Sequence, residues 1–307
     1  MTKRDFITIR SFTPAEIQKL VEDAIRIKTN PAEYAEALKG KALAMIFEKP
    51  SLRTRVTFDV GIHQLGGFSI YLSPAEINLG KRESVADVAR NLERMVQGIM
   101  ARTFSHRVVE ELAEHAHIPV INGLTDFNHP CQAMADYMTI LEVKKRLAGI
   151  KLAYVGDGNN VAVSLIKGGA RLGVHLALAT PPGYEPDAEV VRWARAAGEE
   201  SGCRIELTHD PVAAVTGADA IYTDVWTSMG QEAETAARLQ IFRPYQVNEA
   251  LFAHARPDAI FLHCLPAHRG EEVTDGVIES PRSVVFQQAE NRLHAQKAIM
   301  LMLMGQK

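Results

Sequence analysis

Apolar residues recur along the chain with two alternating periods, one helical and one typical of buried strands. Residues 13–16 form a capping box with proline at the first helical position, and an apolar helical face follows at Ile17, Leu20, Val21 and Ile25. Continuous apolar runs predict strands buried in a parallel sheet at 41–47, 68–72, 98–103 and 119–124. Helical patterns separate and follow these runs over about 54–66, 85–96, 105–116 and 131–147.

A second series of the same kind starts at Gly149. Its predicted strands are 151–157, 175–180, 204–210, 220–226 and 260–266, and a last helix is predicted over 291–304. Repeated strand–helix alternation is typical of parallel sheets with helices on both faces. We therefore expect an α/β fold with two doubly wound domains, each built on a central parallel sheet. The expected domains are 1–148 and 149–290, and the C-terminal helix, 291–307, is expected to pack back on the N-terminal domain.

Composition narrows the class of protein. A chain of 307 residues with 47% hydrophobic and 23% charged residues is ordinary globular protein of about two domains. Lys and Arg total 34 against 37 Asp and Glu, without a basic stripe, which argues against nucleic acid as a partner. No apolar run is long enough to span a bilayer, and the start lacks a signal-peptide core. Three widely spaced cysteines without a C-x-x-C pair argue against disulfides and zinc and favour the cytoplasm.

The segment after the first apolar run has the composition of an anion site. Residues 48–55 place Ser51, Arg53, Thr54 and Arg55 at the expected start of a helix. Free backbone N–H groups, the helix dipole and guanidinium groups act together on an anion there. The spacing of glycines and lysine in a P-loop is absent. A capped helix with surface arginines explains the same residues equally well.

Two further strand ends in the first half carry polar side chains. Arg102 follows the third predicted strand, and His129 and Gln132 follow the fourth, where the long helix opens. His129 and Gln132 could both reach a polarised carbonyl group. A lone histidine is more often structural, but its place at a strand–helix corner favours a function.

The first loop of the second half resembles a dinucleotide-binding turn. Residues 156–160 read Gly-Asp-Gly-Asn-Asn, so the third glycine of that motif is missing. The next strand ends at Thr180 instead of an acidic ribose ligand, which argues against a nicotinamide cofactor. Asn159 and Asn160 could bind a polar substrate or simply form the turn.

The later strand ends leave similar alternatives open. Asp224 lies where an amine could be paired, and residues 228–230 form either a mobile binding loop or an ordinary turn with a buried Met229. Cys264 is either a reactive thiol or an inert buried one. Arg292 lies near the start of the predicted last helix, where its side chain either enters a cleft at the strand ends or lies on the surface.

Five motifs in this order, FEKPSLRTR, HPCQ, DVWTSMG, HCLP and ENR, resemble the aspartate/ornithine carbamoyltransferase family. HCLP and the Ser-Met-Gly loop resemble its ornithine branch, and the resemblance extends from about Phe47 to Arg292. It implies transfer of the carbamoyl group from carbamoyl phosphate to the δ-amino group of L-ornithine, in arginine biosynthesis. It also implies two α/β domains, a homotrimer or multiple of trimers with sites at the subunit boundaries, and no metal or organic cofactor.

The resemblance assigns roles to single residues. It implies that carbamoyl phosphate contacts Ser51, Leu52, Arg53, Thr54, Asn78, Arg102, His129, Gln132, Cys264, Leu265 and Arg292. It implies that ornithine contacts Asn160, Asp224, Ser228 and Met229, and that Arg102, His129 and Cys264 are catalytic. Two positions depart from the family pattern. Leu52 stands where threonine is usual, and Asn78 stands where glutamine often reaches across the subunit boundary.

Three alternatives remain at this point. The chain could be a carbamoyltransferase for another amine, such as putrescine or N-acetylornithine, although Asp224 and the Ser-Met-Gly loop favour a free α-amino acid. A dinucleotide-dependent dehydrogenase is disfavoured by the incomplete loop at 156–160. An inactive homologue that only binds carbamoyl phosphate is disfavoured because Arg53, His129, Asp224 and Cys264 are all present.

Overall fold

The computed structural model describes residues 3–228, 230 and 232–305. The chain divides into two compact units. The first unit comprises the chain up to Met138 and again from Glu290 onwards, and the second comprises Thr139–Ala289. The first division lies inside a long helix, ahead of the predicted domain boundary at 148, and the second lies beside the predicted boundary at 290.

The first unit alternates strands and helices. Its elements are α1 (Pro14–Thr29), β1 (Ala42–Phe47), α2 (Leu52–Gln64), β2 (Phe68–Leu72), α3 (Pro74–Ile77), α4 (Val85–Leu92), β3 (Gly98–Arg102), α5 (His106–His115), β4 (Val120–Leu124) and α6 (Pro130–Lys144), which continues into the second unit. The predicted capping box opens α1. The Thr13 backbone N–H donates to the Glu16 carboxylate at 2.9 Å, and the Glu16 N–H donates to the Thr13 hydroxyl at 3.3 Å.

The sheet of the first unit is parallel, with strand order β2-β1-β3-β4. Residues of β1, β3 and β4 are buried, as the continuous apolar runs predict, whereas β2 is an edge strand that stays partly exposed. The chain leaves β1 in one direction to form β2 and returns on the other side to form β3. The topological switch point therefore lies between β1 and β3, where Phe47 and Arg102 pair in register.

The second unit repeats this construction. Its elements are β5 (Lys151–Val155), α7 (Asn160–Leu172), β6 (His175–Ala179), α8 (Ala188–Ser201), β7 (Ile205–Thr208), α9 (Pro211–Val215), β8 (Ala220–Thr223), α10 (Thr235–Phe242), α11 (Glu249–Phe252), β9 (Ile260–His263), α12 (Asp275–Ile278) and the start of α13 (Val285–Met304). The parallel strand order is β7-β6-β5-β8-β9, which places the switch point between β5 and β8. Both sheets confirm the expected doubly wound α/β class.

The last helix corrects one expectation. It was predicted over 291–304, after Glu290-Asn291-Arg292, but α13 begins at Val285 and contains these three residues. Residues 285–290 contain no glycine or proline to delay the helix, so it starts soon after Pro281. From Glu290 onwards the helix belongs to the first unit. There Lys28 donates to Asn291 at 2.8 Å and Lys297 donates to Gln64 at 3.0 Å.

Several strands end earlier than their apolar patterns suggest. The patterns ran to residues 157, 226 and 266, whereas β5, β8 and β9 end at Val155, Thr223 and His263. The polar residues that follow leave the ladder and hydrogen-bond to neighbouring loops, which places them at the carboxyl edge of the sheet. Among the described residues, no helix has the length and apolar character needed to cross a membrane.

Candidate active site

The N-terminus of α2 forms the first part of the site, beside the switch point of the first sheet. Ser51 is its N-cap, and its hydroxyl accepts the backbone N–H of Thr54 at 3.2 Å. Leu52 and Arg53 occupy the first turn, where backbone N–H groups point away from the helix and attract an anion. The Leu52 side chain is 75% exposed. The departure from threonine at this position therefore leaves the backbone donor in place and removes only a hydroxyl.

A buried network connects residues from four elements of the first unit. The Thr54 hydroxyl accepts from Arg292 Nη2 at 2.9 Å and lies 3.4 Å from Arg102 Nη1. Arg292 Nη1 donates to Gln132 Oε1 at 2.8 Å. All of these side chains are buried. Two guanidinium donors occupy the lone pairs of the Thr54 hydroxyl, so its own O–H remains to donate to a further acceptor.

His129 lies directly before α6, buried near the same arginines. Burial is the main cause that holds its pKa well below the usual value, and the charges of Arg292, Arg102 and Arg53 act in the same direction. His129 is therefore neutral at pH 7. A neutral imidazole can donate one N–H to a carbonyl oxygen without competing with the arginines for an anion.

Asp224 contacts another predicted residue of the second unit, Cys264. It follows β8 directly and is buried. Its Oδ1 accepts from the Cys264 thiol at 2.9 Å and from the Val225 N–H at 2.8 Å, while its Oδ2 accepts from Asn159 Nδ2 at 2.8 Å. The structure therefore brings Asp224 and Cys264 together from neighbouring strand ends. Asp224 is the hydrogen-bond acceptor of the Cys264 thiol.

Asn159 has a role that the sequence left open. Its Oδ1 caps α7 by accepting the N–H groups of Val161 at 2.9 Å and Ala162 at 3.2 Å, which directs Nδ2 towards Asp224. Asn160 forms the first turn of α7 and is partly buried. The relevant signal in the sequence is the asparagine at a strand–helix corner, but its contact with Asp224, directly after β8, depends on the strand order.

The segment after β8 carries the remaining ornithine-site prediction. Ser228 is partly buried there, and Met229 lies outside the described residues. Arg238 on α10 fixes the start of this segment, because its Nε donates to the Trp226 carbonyl at 2.5 Å and its guanidinium pairs with Asp157. Burial raises the pKa of Asp157 to about 6 even though Arg238 acts in the opposite direction. Sequence analysis did not single out Arg238.

The segment after β9 is fixed by the buried side chains of His263 and Glu272. The Leu265 N–H donates to His263 Nδ1 at 2.8 Å, and His263 Nε2 lies 3.1 Å from Glu272 Oε1. Because Nδ1 accepts, Nε2 carries the proton and donates to Glu272. Leu265 has a φ of 57°, a left-handed conformation that is costly for leucine. The pair therefore stabilises an unfavourable backbone conformation directly after Cys264.

A metal ion would need free ligand atoms at this edge. Asp224, His263 and Cys264 have ligand atoms within 4.8 Å of one another. His263 Nδ1 is occupied by the Leu265 N–H, and the Cys264 thiol donates to Asp224. These ligand atoms are therefore engaged in hydrogen bonds in the structure.

The other two cysteines are structural. Cys131 and Cys203 are buried, and burial raises the pKa of each thiol to about 12. Each donates to a backbone carbonyl, Cys131 to Asn122 at 3.3 Å and Cys203 to Val174 at 2.9 Å. Neither thiol lies among the predicted site residues.

Asn78 is exposed at the end of α3. Its backbone has a φ of 41°, in the left-handed region where asparagine is favoured over most other residues. This conformation gives a physical reason for asparagine where the family pattern often has glutamine.

Comparisons with known proteins agree over nearly the whole chain. The model of the carbamoyl-P binding domain of aspartate/ornithine carbamoyltransferase matches residues 4–142, and the model of its Asp/Orn binding domain matches residues 148–303. Ornithine carbamoyltransferase of Thermococcus kodakarensis is 58% identical over 304 residues, covering 98% of this chain and 96% of the relative. The anabolic enzyme of Pyrococcus furiosus is 56% identical over the same shares of both chains. A solved structure of ornithine carbamoyltransferase from Pyrococcus furiosus superposes with a TM-score of 0.96 at 55% identity, covering 99% of this chain and 97% of that one.

Proposed function

The chain belongs to the aspartate/ornithine carbamoyltransferase family, and we propose that it transfers the carbamoyl group of carbamoyl phosphate to the δ-amino group of L-ornithine. The products are L-citrulline and phosphate. Full-length identity of 58% to a relative named ornithine carbamoyltransferase carries this conclusion. The buried Asp224 beside Cys264 supplies the matching chemistry for an amino-acid acceptor.

Carbamoyl phosphate binds to the first unit in this proposal. Its phosphate accepts hydrogen bonds from the backbone N–H groups at the start of α2 and from the Arg53 guanidinium. Its carbonyl oxygen accepts from the Thr54 hydroxyl, from Arg102 and from the neutral His129. Attack on the carbonyl carbon places negative charge on this oxygen, and donors that are already in position stabilise that charge in the transition state.

Ornithine binds to the second unit, with its charged α-amino group on Asp224 and its carboxylate near Asn160 and Ser228. The δ-amine must be neutral to attack. With a lysine-like pKa of about 10.4, deprotonation at pH 7 costs about 4.6 kcal/mol, which removal of water and positioning near Cys264 must offset. The leaving phosphate can accept the proton that the amine loses, so no covalent cysteine intermediate is required.

The same chain carries an apolar surface suited to other copies of itself. Leu52, Val56 and Val60 are exposed at spacings of four residues along α2, so they share one helix face. Phe68, 50% exposed, and Ile70 share one face of the edge strand β2. These residues support the proposed homotrimer, in which Asn78 of a neighbouring subunit would complete the carbamoyl phosphate site. We also propose a cytoplasmic location and the biosynthetic direction that the name of the Pyrococcus furiosus relative indicates.

The experiment that tests this function is product formation from carbamoyl phosphate with four parallel acceptors: ornithine, putrescine, N-acetylornithine and aspartate. We expect citrulline from ornithine and no product from the others. Product from putrescine or N-acetylornithine instead of ornithine would retain the carbamoyl phosphate site but contradict the role of Asp224. Absence of product with every acceptor would contradict the proposed activity.

A further inference from the structure

Asp136 is a buried carboxylate next to the carbamoyl phosphate site that the proposed mechanism does not use. It lies on α6 one turn after Gln132. Gln132 Nε2 donates to Asp136 Oδ1 at 2.8 Å, and Gln132 Oε1 accepts from Arg292 Nη1 at 2.8 Å. The Gln132 amide therefore lies between a carboxylate and a guanidinium group, and each contact uses a different end of the amide.

These two partners fix the direction of the amide. A carboxylate only accepts hydrogen bonds and a guanidinium only donates them. If the amide of Gln132 turned by 180°, its NH₂ group would face the Arg292 donors and its oxygen would face Asp136. Both contacts would then be repulsive. Arg292 connects this pair of contacts to Thr54, because its other terminal nitrogen, Nη2, donates to the Thr54 hydroxyl at 2.9 Å.

We propose that Asp136 is a positioning residue for carbamoyl phosphate, which keeps the amide oxygen of Gln132 on the side of Arg292 and thereby holds Arg292 on Thr54. This inference rests on the proposed function, since it concerns the same donors. In this arrangement the amide oxygen of Gln132 is also available as an acceptor for the NH₂ group of the carbamoyl moiety. Asp136 itself touches Gln132 and acts on the substrate only through it.

Replacing the carboxylate with an amide removes this constraint. In Asp136→Asn the new side chain has nearly the same shape but can donate as well as accept, so Gln132 can take either direction. We expect the KM for carbamoyl phosphate to rise on the order of tenfold, because one charge-assisted hydrogen bond no longer orders the network. The KM for ornithine should stay within about twofold, because its proposed ligands belong to the second unit.

A comparison of two substitutions separates positioning from packing. Asp136→Glu keeps the carboxylate but adds a methylene group to a buried site, whereas Asp136→Asn keeps the volume but loses the charge. If Asp136 positions Gln132, the Asn variant has the higher KM for carbamoyl phosphate. If Asp136 only fills space, the Glu variant is the more damaged one, and this order would overturn the inference. If the Glu variant does not fold, the Asn variant alone still tests the inference, because it keeps the volume, and an unchanged KM for carbamoyl phosphate would overturn it.

A double-mutant cycle tests whether the effect passes through Gln132. We expect Asp136→Asn to add nothing in a Gln132→Ala background, since the amide it orients is gone. Full additivity of the two changes would contradict the inference. Asp5→Asn is the matched control, because Asp5 is a partly buried carboxylate of the same unit that accepts the Val120 N–H at 2.8 Å, at the start of β4.

A binding measurement keeps this inference separate from the proposed reaction. Phosphonoacetamide, in which a methylene group replaces the bridging oxygen of carbamoyl phosphate, serves as the probe, because it cannot transfer its carbamoyl group and is stable during calorimetry. We expect the Asp136→Asn variant to bind it about tenfold more weakly than the wild type. The wild-type protein could form no citrulline while the Asp136→Asn variant still binds phosphonoacetamide more weakly than the wild type. That result would contradict the proposed reaction and retain the role of Asp136. Equal binding by both proteins would overturn that role.

Discussion

Asp224→Asn is the substitution that most directly separates the two substrates. The change keeps the size of a buried side chain and removes its negative charge. Asp224 accepts from Cys264, Val225 and Asn159, so an asparagine amide oxygen can retain part of this network while its NH₂ group meets a donor. The α-ammonium group of ornithine then loses its charged partner.

The expected magnitude follows from one charge-assisted contact in a buried position. Such contacts contribute about 1.5–3 kcal/mol, which corresponds to roughly 10- to 150-fold. We therefore expect kcat/KM for ornithine to fall by this factor, mainly through KM. The KM for carbamoyl phosphate should change less than about twofold, because most of its proposed ligands, including Thr54 and Arg292, belong to the first unit, whereas Cys264 touches Asp224.

The assay is steady-state citrulline formation with ornithine varied at saturating carbamoyl phosphate, followed by the reverse arrangement. Asp219→Asn is the control, since Asp219 is a buried carboxylate of the same unit that accepts the Lys151 N–H at 2.9 Å, at the amino end of the sheet. An unchanged KM for ornithine in Asp224→Asn would refute the assignment. Equal losses for both substrates would refute the assignment of the two substrates to different sets of residues.

Three further outcomes test other parts of the argument. Arg53→Ala should reduce kcat/KM for carbamoyl phosphate by about 100-fold with an unchanged Tm, and near-normal activity would remove Arg53 from the site. Because the pKa of His129 lies well below 6.5, kcat/KM for carbamoyl phosphate should show no bend from this residue between about pH 6 and 8; a bend that disappears in His129→Asn would contradict its neutrality. The folded pKa of Glu16 is lowered to about 2, mainly by Arg4, so its stabilisation is present above its unfolded pKa and lost as pH falls through about 2. Since the pair is partly exposed, urea unfolding of Glu16→Gln should show a loss of only about 0.5–1 kcal/mol at pH 7 and none near pH 2.

The sequence predicted the class of fold because its signals are local. Continuous apolar runs mark β1, β3 and β4, and the capping box at Thr13 marks the start of α1. The residues at which helices and strands begin and end were less predictable from the sequence. The start of α13 was placed too late, because residues 285–290 lack the strong N-terminal signal that a capping box gives.

The candidate site was predictable to the extent that its residues follow strands. Arg102 ends β3, Asp224 follows β8 directly, and His129 lies in the loop between β4 and α6, so the apolar pattern locates all three. Asp136 and Asn159 could not be assigned in this way, because their importance comes from partners. Asp136 acts on a side chain one helical turn away, and Asn159 meets Asp224 only because β5 and β8 are neighbours in the sheet.

Helix α2 combines two roles on one short segment. Its first turn supplies Arg53 and Thr54, and its exposed face carries Val56 and Val60. In the proposed trimer, the partner's surface against that face therefore braces the anion-binding turn. Specific activity should then depend on protein concentration, and rates measured at high dilution would underestimate those of the assembled enzyme. The same arrangement restricts which substitutions α2 tolerates, because a change that weakens subunit assembly also destabilises the anion-binding turn.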